Sequence, residues 1–278
     1  MLANDLDPAG GLLVVQRAVG DRAGQLDVAI VDGRWLRISA SGPDLAPVTQ
    51  TVSYTISNGT SSGVSGEVVV TQRPAPVDNT PVTVSDKVVV RAGGSVAAPV
   101  LDNDVSPAGD RLTLLSNVSS SDTPGQLPVV APIDVTGDVV GRDTYTVTYV
   151  AQNLEGRRAD GTLKVTVVPA GDPNDPPEPP TLEGRVVSGN VVKVRVPGVG
   201  VDRNGDPVTV TGITSAPRLG RIEAVGGNFL EYQAYPRTAG TDEFTYSVVD
   251  SQGAFATGTV RIAVVGLGQP QPPLAVED

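Results

Sequence analysis

Gly240-Thr-Asp-Glu-Phe-Thr-Tyr-Ser-Val-Val-Asp-Ser-Gln-Gly253 decides the fold. Phe244, Tyr246 and Val248 alternate with Thr245 and Ser247, the period of a strand with one face in a core and one in water. Asp250 to Gly253 supplies a turn, and Val260-Arg-Ile262-Ala-Val264 resumes the alternation, so the two runs form a hairpin. Further apolar, Val-rich runs at 182–187, 191–196, 208–210, 219–225 and 229–233 add five strands. Seven short strands in about 95 residues are the pattern of a two-sheet antiparallel sandwich.

The stretch recurs. Tyr145-Thr-Val147-Thr-Tyr149 with Leu163-Lys-Val165-Thr-Val167, and Val52-Ser-Tyr54-Thr-Ile56, repeat the alternation. Tyr54 precedes Asn58, Tyr149 precedes Asn153 and Tyr246 precedes Asp250, each by four residues. A second landmark keeps step with the tyrosines. Leu2-Ala-Asn-Asp-Leu-Asp-Pro-Ala-Gly10 returns as Leu101-Asp-Asn-Asp-Val-Ser-Pro-Ala-Gly109, and more loosely as Val201-Asp-Arg-Asn-Gly-Asp-Pro207. Two landmarks in one order at one period mean three copies of a unit. The fold is therefore all-β: tandem immunoglobulin-like (cadherin- or fibronectin III-like) antiparallel β-sandwiches in a linear array.

Composition agrees. Gly (32) and Pro (24) make up about a fifth of the 278 residues, punctuation that long helices do not tolerate. No apolar run approaches the ~20 residues that span a membrane, so membrane insertion is not expected. Cys and His are absent, which removes disulfides, thiolate or imidazole metal sites and any Ser-His triad. A net charge of −11 repels phosphate backbones, so no nucleic acid is expected as a partner.

Proline clusters divide the units. Residues 1–75 form an incomplete repeat, 76–170 and 171–266 complete ones, and 267–278 a linker with the start of a further repeat. The first unit is expected to lack its opening strands, because its opening motif starts at Leu2 whereas about twenty residues of the second unit precede Leu101. A bare sheet edge is then expected between Leu12 and Arg73. On this reading the chain is a slice of a longer array.

The opening motif and Gly240 to Gly253 together resemble the bacterial Ig-like and cadherin-like tandem repeats of large secreted or surface proteins. The excess of Arg (17) over Lys (3), with abundant Val and Ala, resembles proteins of high-GC actinobacteria. The resemblance covers almost the whole chain and implies a fold and a secreted or cell-surface location, but no single ligand.

Acidic turns carry the most chemistry. Asp202-Arg-Asn204-Gly-Asp206 sets oxygen atoms at alternate positions, which suits a hard cation such as calcium. Asp102, Asp104 and Asp110, and Asp5 and Asp7, are its counterparts. Asp172-Pro-Asn174-Asp175 in the linker resembles the start of a cadherin calcium linker, although Pro176 breaks the pattern. The competing reading is that these side chains close β-turns on their own backbone. If Asp172 and Asp175 converge with Asp102, Asp104 or Asp110, a cation is needed between them; otherwise no cofactor is required. Trp35 and Phe229, both outward on their strands, are candidate stacking surfaces for a sugar or cover for a sheet edge. The three recurrent tyrosines are expected in the cores, with their hydroxyls bonded to backbone.

No converging acid, base and nucleophile is visible, so no enzyme is expected. The leading reading is a structural or adhesive rod segment of an extracellular bacterial repeat protein, whose partners are neighbouring repeats and a cell-surface protein or polysaccharide. The alternative is a carbohydrate-binding accessory module of a secreted enzyme.

Overall fold

Strands form where the alternation places them, and Gly, Pro and Asx residues end them. The structure, a computed structural model, describes residues 2–21, 25–40, 48–61, 63–72, 78–115, 127–130 and 143–266. Residues 73–77, at the expected boundary of the first and second units, and the segment 267–278 lie outside the described residues. Among the described residues the only helix is a 3-10 turn at Leu2–Asn4.

The first unit comprises β1 (Val14–Gly20), β2 (Leu26–Val31), β3 (Trp35–Ala40), β4 (Val48–Ser57) and β5 (Val64–Gln72), in sheets β1-β4-β5 and β2-β3. The second comprises β6 (Asp86–Arg91), β7 (Ser95–Ala98), β8 (Thr113–Leu115), β9 (Leu127–Val130), β10 (Asp143–Gln152) and β11 (Arg158–Val168), in sheets β6-β11-β10-β8 and β7-β9. The third comprises β12 (Leu182–Val187), β13 (Val191–Arg195), β14 (Val208–Ile213), β15 (Gly220–Gly226), β16 (Phe229–Ala234), β17 (Gly240–Asp250) and β18 (Phe255–Val265), in sheets β12-β18-β17-β14 and β13-β16-β15.

The third core lies between its two sheets. Tyr246, Val248, Ile262 and Val264 are buried there, as the alternation predicts, and Phe244 stacks on Tyr232 at 5.9 Å. In the second unit Tyr149, Val165 and Val167 are buried, and Val147 packs half-buried against them. The pairing departs from a purely antiparallel sandwich at one place in each complete unit. β6 runs parallel to β11, and β12 parallel to β18 in the register Leu182↔Val260 to Val187↔Val265. A parallel pair needs a long crossover, and here nearly the whole unit separates its first strand from its last.

The first unit has no strand in the places of β12 and β13 among the described residues. Among the described residues no strand pairs with the outer edge of β5, and Val64 and Val69 are exposed.

Each tyrosine strand faces a glycine on the last strand: Tyr54↔Gly66, Tyr149↔Gly161 and Tyr246↔Gly258. The ring lies across the glycine, and a Cβ there would overlap ring atoms. As expected, the Tyr149 hydroxyl donates to a backbone carbonyl, that of Val100 (3.0 Å), with Asp104 and Asp86 carboxylate oxygens also in reach. That of Tyr246 donates to Pro180 O (2.9 Å). Among the described residues the Tyr54 hydroxyl donates not to backbone but to the Asp5 carboxylate (3.2 Å), the counterpart of Asp104.

Contacts also run outside the tandem order. Leu12 and Val14 of the first unit share a buried cluster with Ala263 and Val265 of the third. The Leu12 N–H donates to Thr241 Oγ1 (2.9 Å) and Arg185 Nε to the Leu13 carbonyl (2.9 Å). The loop end of the first unit thus meets the far end of the third.

Candidate functional site

One loop geometry caps each unit at the end where the tyrosine strand turns back. Asp7 accepts N–H bonds from Ala9 and Gly11, and Asp202 accepts them from Asn204 and Asp206. Ser106 and Asp110 bond to each other at the same place in the second unit. Three residues after each first member stands a glycine in the left-handed region: Gly10 (φ 73°), Gly109 (φ 74°) and Gly205 (φ 74°). These turns put Asp202 level with Asp7 and Ser106. Matching on Asp-Pro alone, as the sequence invites, is four residues out of register, because the turn and not the proline fixes the loop.

The second and third units meet at this loop. Gly205 lies against the backbone of β6, where a Cβ would overlap Val89. Arg91, the last residue of β6, reaches across with its side chain only 8% exposed. Its Nε donates to Asp206 Oδ1 (2.9 Å) and Oδ2 (3.0 Å), and Nη2 to Asp206 Oδ2 (2.7 Å). Nη1 donates to the carbonyls of Pro169 (3.3 Å) and Asp172 (3.2 Å), and Nη2 also to Asn174 Oδ1 (3.3 Å). The planar fork of a guanidinium suits such a divided set of acceptors. The Asp206 hydrogen bonds push the Arg91 pKa further up from its ordinary value.

The linker is fixed by the same contacts. Asn174 Nδ2 donates to Asp250 Oδ2 (2.7 Å), the Asp175 N–H donates to Asn204 Oδ1 (2.8 Å), and the Glu178 N–H donates to the Val201 carbonyl (2.6 Å). Asp202 is buried, and its Oδ2 has no hydrogen-bond partner among the described residues. Burial, reinforced by the charges of Asp206 and Asp250, pushes its carboxyl pKa up.

The carboxylates thus divide into two groups. Asp172, Asn174 and Asp175 converge with Asp202, Asn204 and Asp206. Asp102, Asp104 and Asp110 do not join them, so the condition placed on those residues is not met. Asp104 accepts from the Val84 N–H (2.8 Å) and Asp110 from the Leu154 N–H (2.7 Å), while Asp102 is exposed on its turn. The six residues of β6 separate the two ends, a span of about 17 Å. Asp5 and Asp7 lie in the first unit's loop. Among the described residues no group of three or more acidic side chains is arranged to hold a metal. Sequence reasoning missed Arg91. A charged residue closing the run Val88-Val-Val90 was the only local signal, and its partner lies 115 residues further along.

Trp35 and Phe229 do not share a face. Trp35 is 52% exposed on β3, with the Arg34 guanidinium 5.2 Å from its ring centre. It lines an open cleft of about 470 Å³ between the first and third units, together with Leu2, Asp5, Arg34, Glu183 and Arg185. Phe229 is half-buried on β16, in the opposite sheet of the third unit, and Lys193 Nζ covers it at 4.0 Å.

Likeness to solved structures is broad and shallow. Drosophila N-cadherin EC1-3 is 11% identical, with 94% of this chain and 92% of that one covered and a TM-score of 0.30. The Sidekick-1 immunoglobulin domains 1-4 are 12% identical, with 92% and 67% covered and a TM-score of 0.38. An endo-fucoidan hydrolase of glycoside hydrolase family 107 is 18% identical over 91% of this chain, at a TM-score of 0.30; this chain spans only 39% of its length. No curated protein matches the chain. The sequence profile described as Bacterial Ig domain matches residues 78–166 and 174–263, most of the second and third units. The chain belongs to the Bacterial Ig domain family.

Proposed function

We propose that the chain is a non-catalytic structural segment of an extracellular bacterial repeat protein, a spacer that projects or joins other parts at the cell surface or in the secreted state. The observation that carries this reading is the Arg91 joint. A spacer needs successive units held at a fixed angle, and a buried fork of hydrogen bonds from one unit to the linker and next unit supplies that. Bacterial Ig domains are typically non-catalytic and extracellular, which agrees. Net negative charge keeps a long array soluble. Fractionation of the source bacterium with antibody raised to the chain tests the reading. The protein is expected at the surface or in the medium, and a purely cytosolic signal overturns it.

The exposed Trp35 in its cleft favours a second reading, a carbohydrate-binding accessory module, since an open indole beside charged side chains can stack on a sugar ring. Affinity electrophoresis through neutral and anionic polysaccharide gels distinguishes the two. Retardation abolished by Trp35→Ala supports the accessory module, and unretarded migration in every gel supports the spacer.

A further inference from the structure

We propose that Arg91 is the resident cation of the joint between the second and third units: it gathers the oxygen atoms of both units in place of a divalent metal, so the joint needs no metal while Arg91 is present and admits one when Arg91 is truncated. This stands on the geometry of the joint alone, whether the chain serves as a spacer or as an accessory module.

Five oxygen atoms surround the guanidinium at 2.7–3.3 Å: both carboxylate oxygens of Asp206, the carbonyls of Pro169 and Asp172, and Asn174 Oδ1. They come from the end of the second unit, the linker and the loop of the third. Carboxylate, carbonyl and side-chain amide oxygens are the ligand types that a hard cation collects, six to eight of them at about 2.3–2.6 Å. Beside them lies the Asp202 carboxylate, buried, with Oδ2 unpartnered. The charges of Asp206 and Asp250 both act on Asp202, so a positive charge bonded to Asp206 relieves them. Arg91 supplies it covalently, as part of the chain. Truncating Arg91 removes the only cation bonded to Asp206 among the described residues and leaves a space the size of a guanidinium lined with oxygen. A lysine would restore the charge but not the fork, because one ammonium cannot reach Asp206, Asn174 and two carbonyls together.

The chain has no cysteine, so two can be introduced for spin labels without background. Lys164→Cys in the second unit and Thr257→Cys in the third are exposed on their strands. Pulsed dipolar spectroscopy on the full chain then reads the distance between the units, and isothermal titration with calcium chloride reads binding. With Arg91 present we expect one narrow distance, unchanged by chelator or by millimolar calcium, and no saturable heat. In Arg91→Ala we expect the narrow distance to be lost without calcium and regained with it, with saturable heat in the micromolar to millimolar range. Both are expected to vanish in Arg91→Ala/Asp206→Ala. Should truncating Arg91 unfold a unit, Asp206→Asn keeps shape and removes charge, and is expected to broaden the distance whether or not calcium is added. A native joint that responds to chelator overturns the proposal. So does a narrow distance persisting in metal-free Arg91→Ala or in Asp206→Asn, or a broad one in Arg91→Ala that calcium leaves broad.

Discussion

β5 and β18 occupy the same place in their units and end in different surroundings. Each pairs antiparallel with a tyrosine strand and sets a glycine beneath the ring. Yet β18 buries Val260, Ile262, Ala263, Val264 and Val265, whereas β5 has no buried residue along its nine positions. The difference lies in the neighbours. β12 pairs with the outer edge of β18, and a three-stranded sheet covers the face of its own; among the described residues nothing pairs with the outer edge of β5, and the sheet opposite has two strands. Alternation makes a segment a strand, but the depth of its burial depends on strands elsewhere in the unit.

The largest test of this comparison is removal of the tyrosine ring. Tyr246 is fully buried within a cluster of fourteen buried residues, so Tyr246→Ala should cost the third unit about 3–5 kcal/mol, the range for deleting a buried aromatic. Tyr54 sits in a cluster of three buried residues, and Tyr54→Ala should cost the first unit less than half as much. The only tryptophan, Trp35, is in the first unit, so urea unfolding followed by its fluorescence reads that unit. Amide exchange along β17 and β18 reads the third. Equal losses would mean that the open edge of β5 leaves its core no weaker.

A smaller effect is expected at the glycines. An alanine Cβ at Gly258 would sit 2.5 Å from Tyr246 Cε1, and the ring is enclosed on every side by the core. Gly258→Ala should therefore destabilise the third unit by about 1–3 kcal/mol, as overpacking does. Gly66→Ala makes the same clash with Tyr54, but that ring can shift toward the uncovered edge, so the cost should be smaller. The same two readouts check it, and a larger loss for Gly66→Ala would contradict the account.

Legibility in the sequence followed the range of the forces. The period-two runs gave the seven strands of the third unit and the burial of Tyr246, Val248, Ile262 and Val264, because alternation is local. The Tyr–Gly pairs were in plain view as residues but not as pairs, since register joins positions twelve apart. The parallel pairing of β12 with β18 and the contact of Leu12 with Thr241 depend on segments that lie far apart in the chain. At the site, the acidic turns were readable because an Asx side chain bonds its own backbone. Arg91 was not, because what it does is defined by Asp206 in another unit.

The smallest expected effect separates the loop of the third unit from that of the first. Asp202 and Asp7 close the same turn, yet their acid behaviour has opposite sign. Burial pushes the Asp202 carboxyl up, so the folded state holds that proton more tightly than the unfolded chain does. Its contribution therefore falls as pH rises from the usual carboxylate value of 3.8 through the raised folded value. Asp7 is held down, chiefly by the Asn58 side-chain hydrogen bond. Its contribution is present above 3.8 and is lost as pH falls. In Asp202→Asn the amide oxygen still accepts from the Asn204 and Asp206 N–H groups, and the amide nitrogen replaces the unpartnered Oδ2. The third unit of this variant should match the parent at pH 3 and be equal or up to about 1 kcal/mol more stable at pH 7. Asp7→Asn should instead lose stability in the first unit at pH 7 and converge with the parent at low pH. Amide exchange at the two pH values checks both. A loss of stability at pH 7 in Asp202→Asn would show that the buried carboxylate is compensated at the joint, and that the two loops differ in sequence but not in electrostatics.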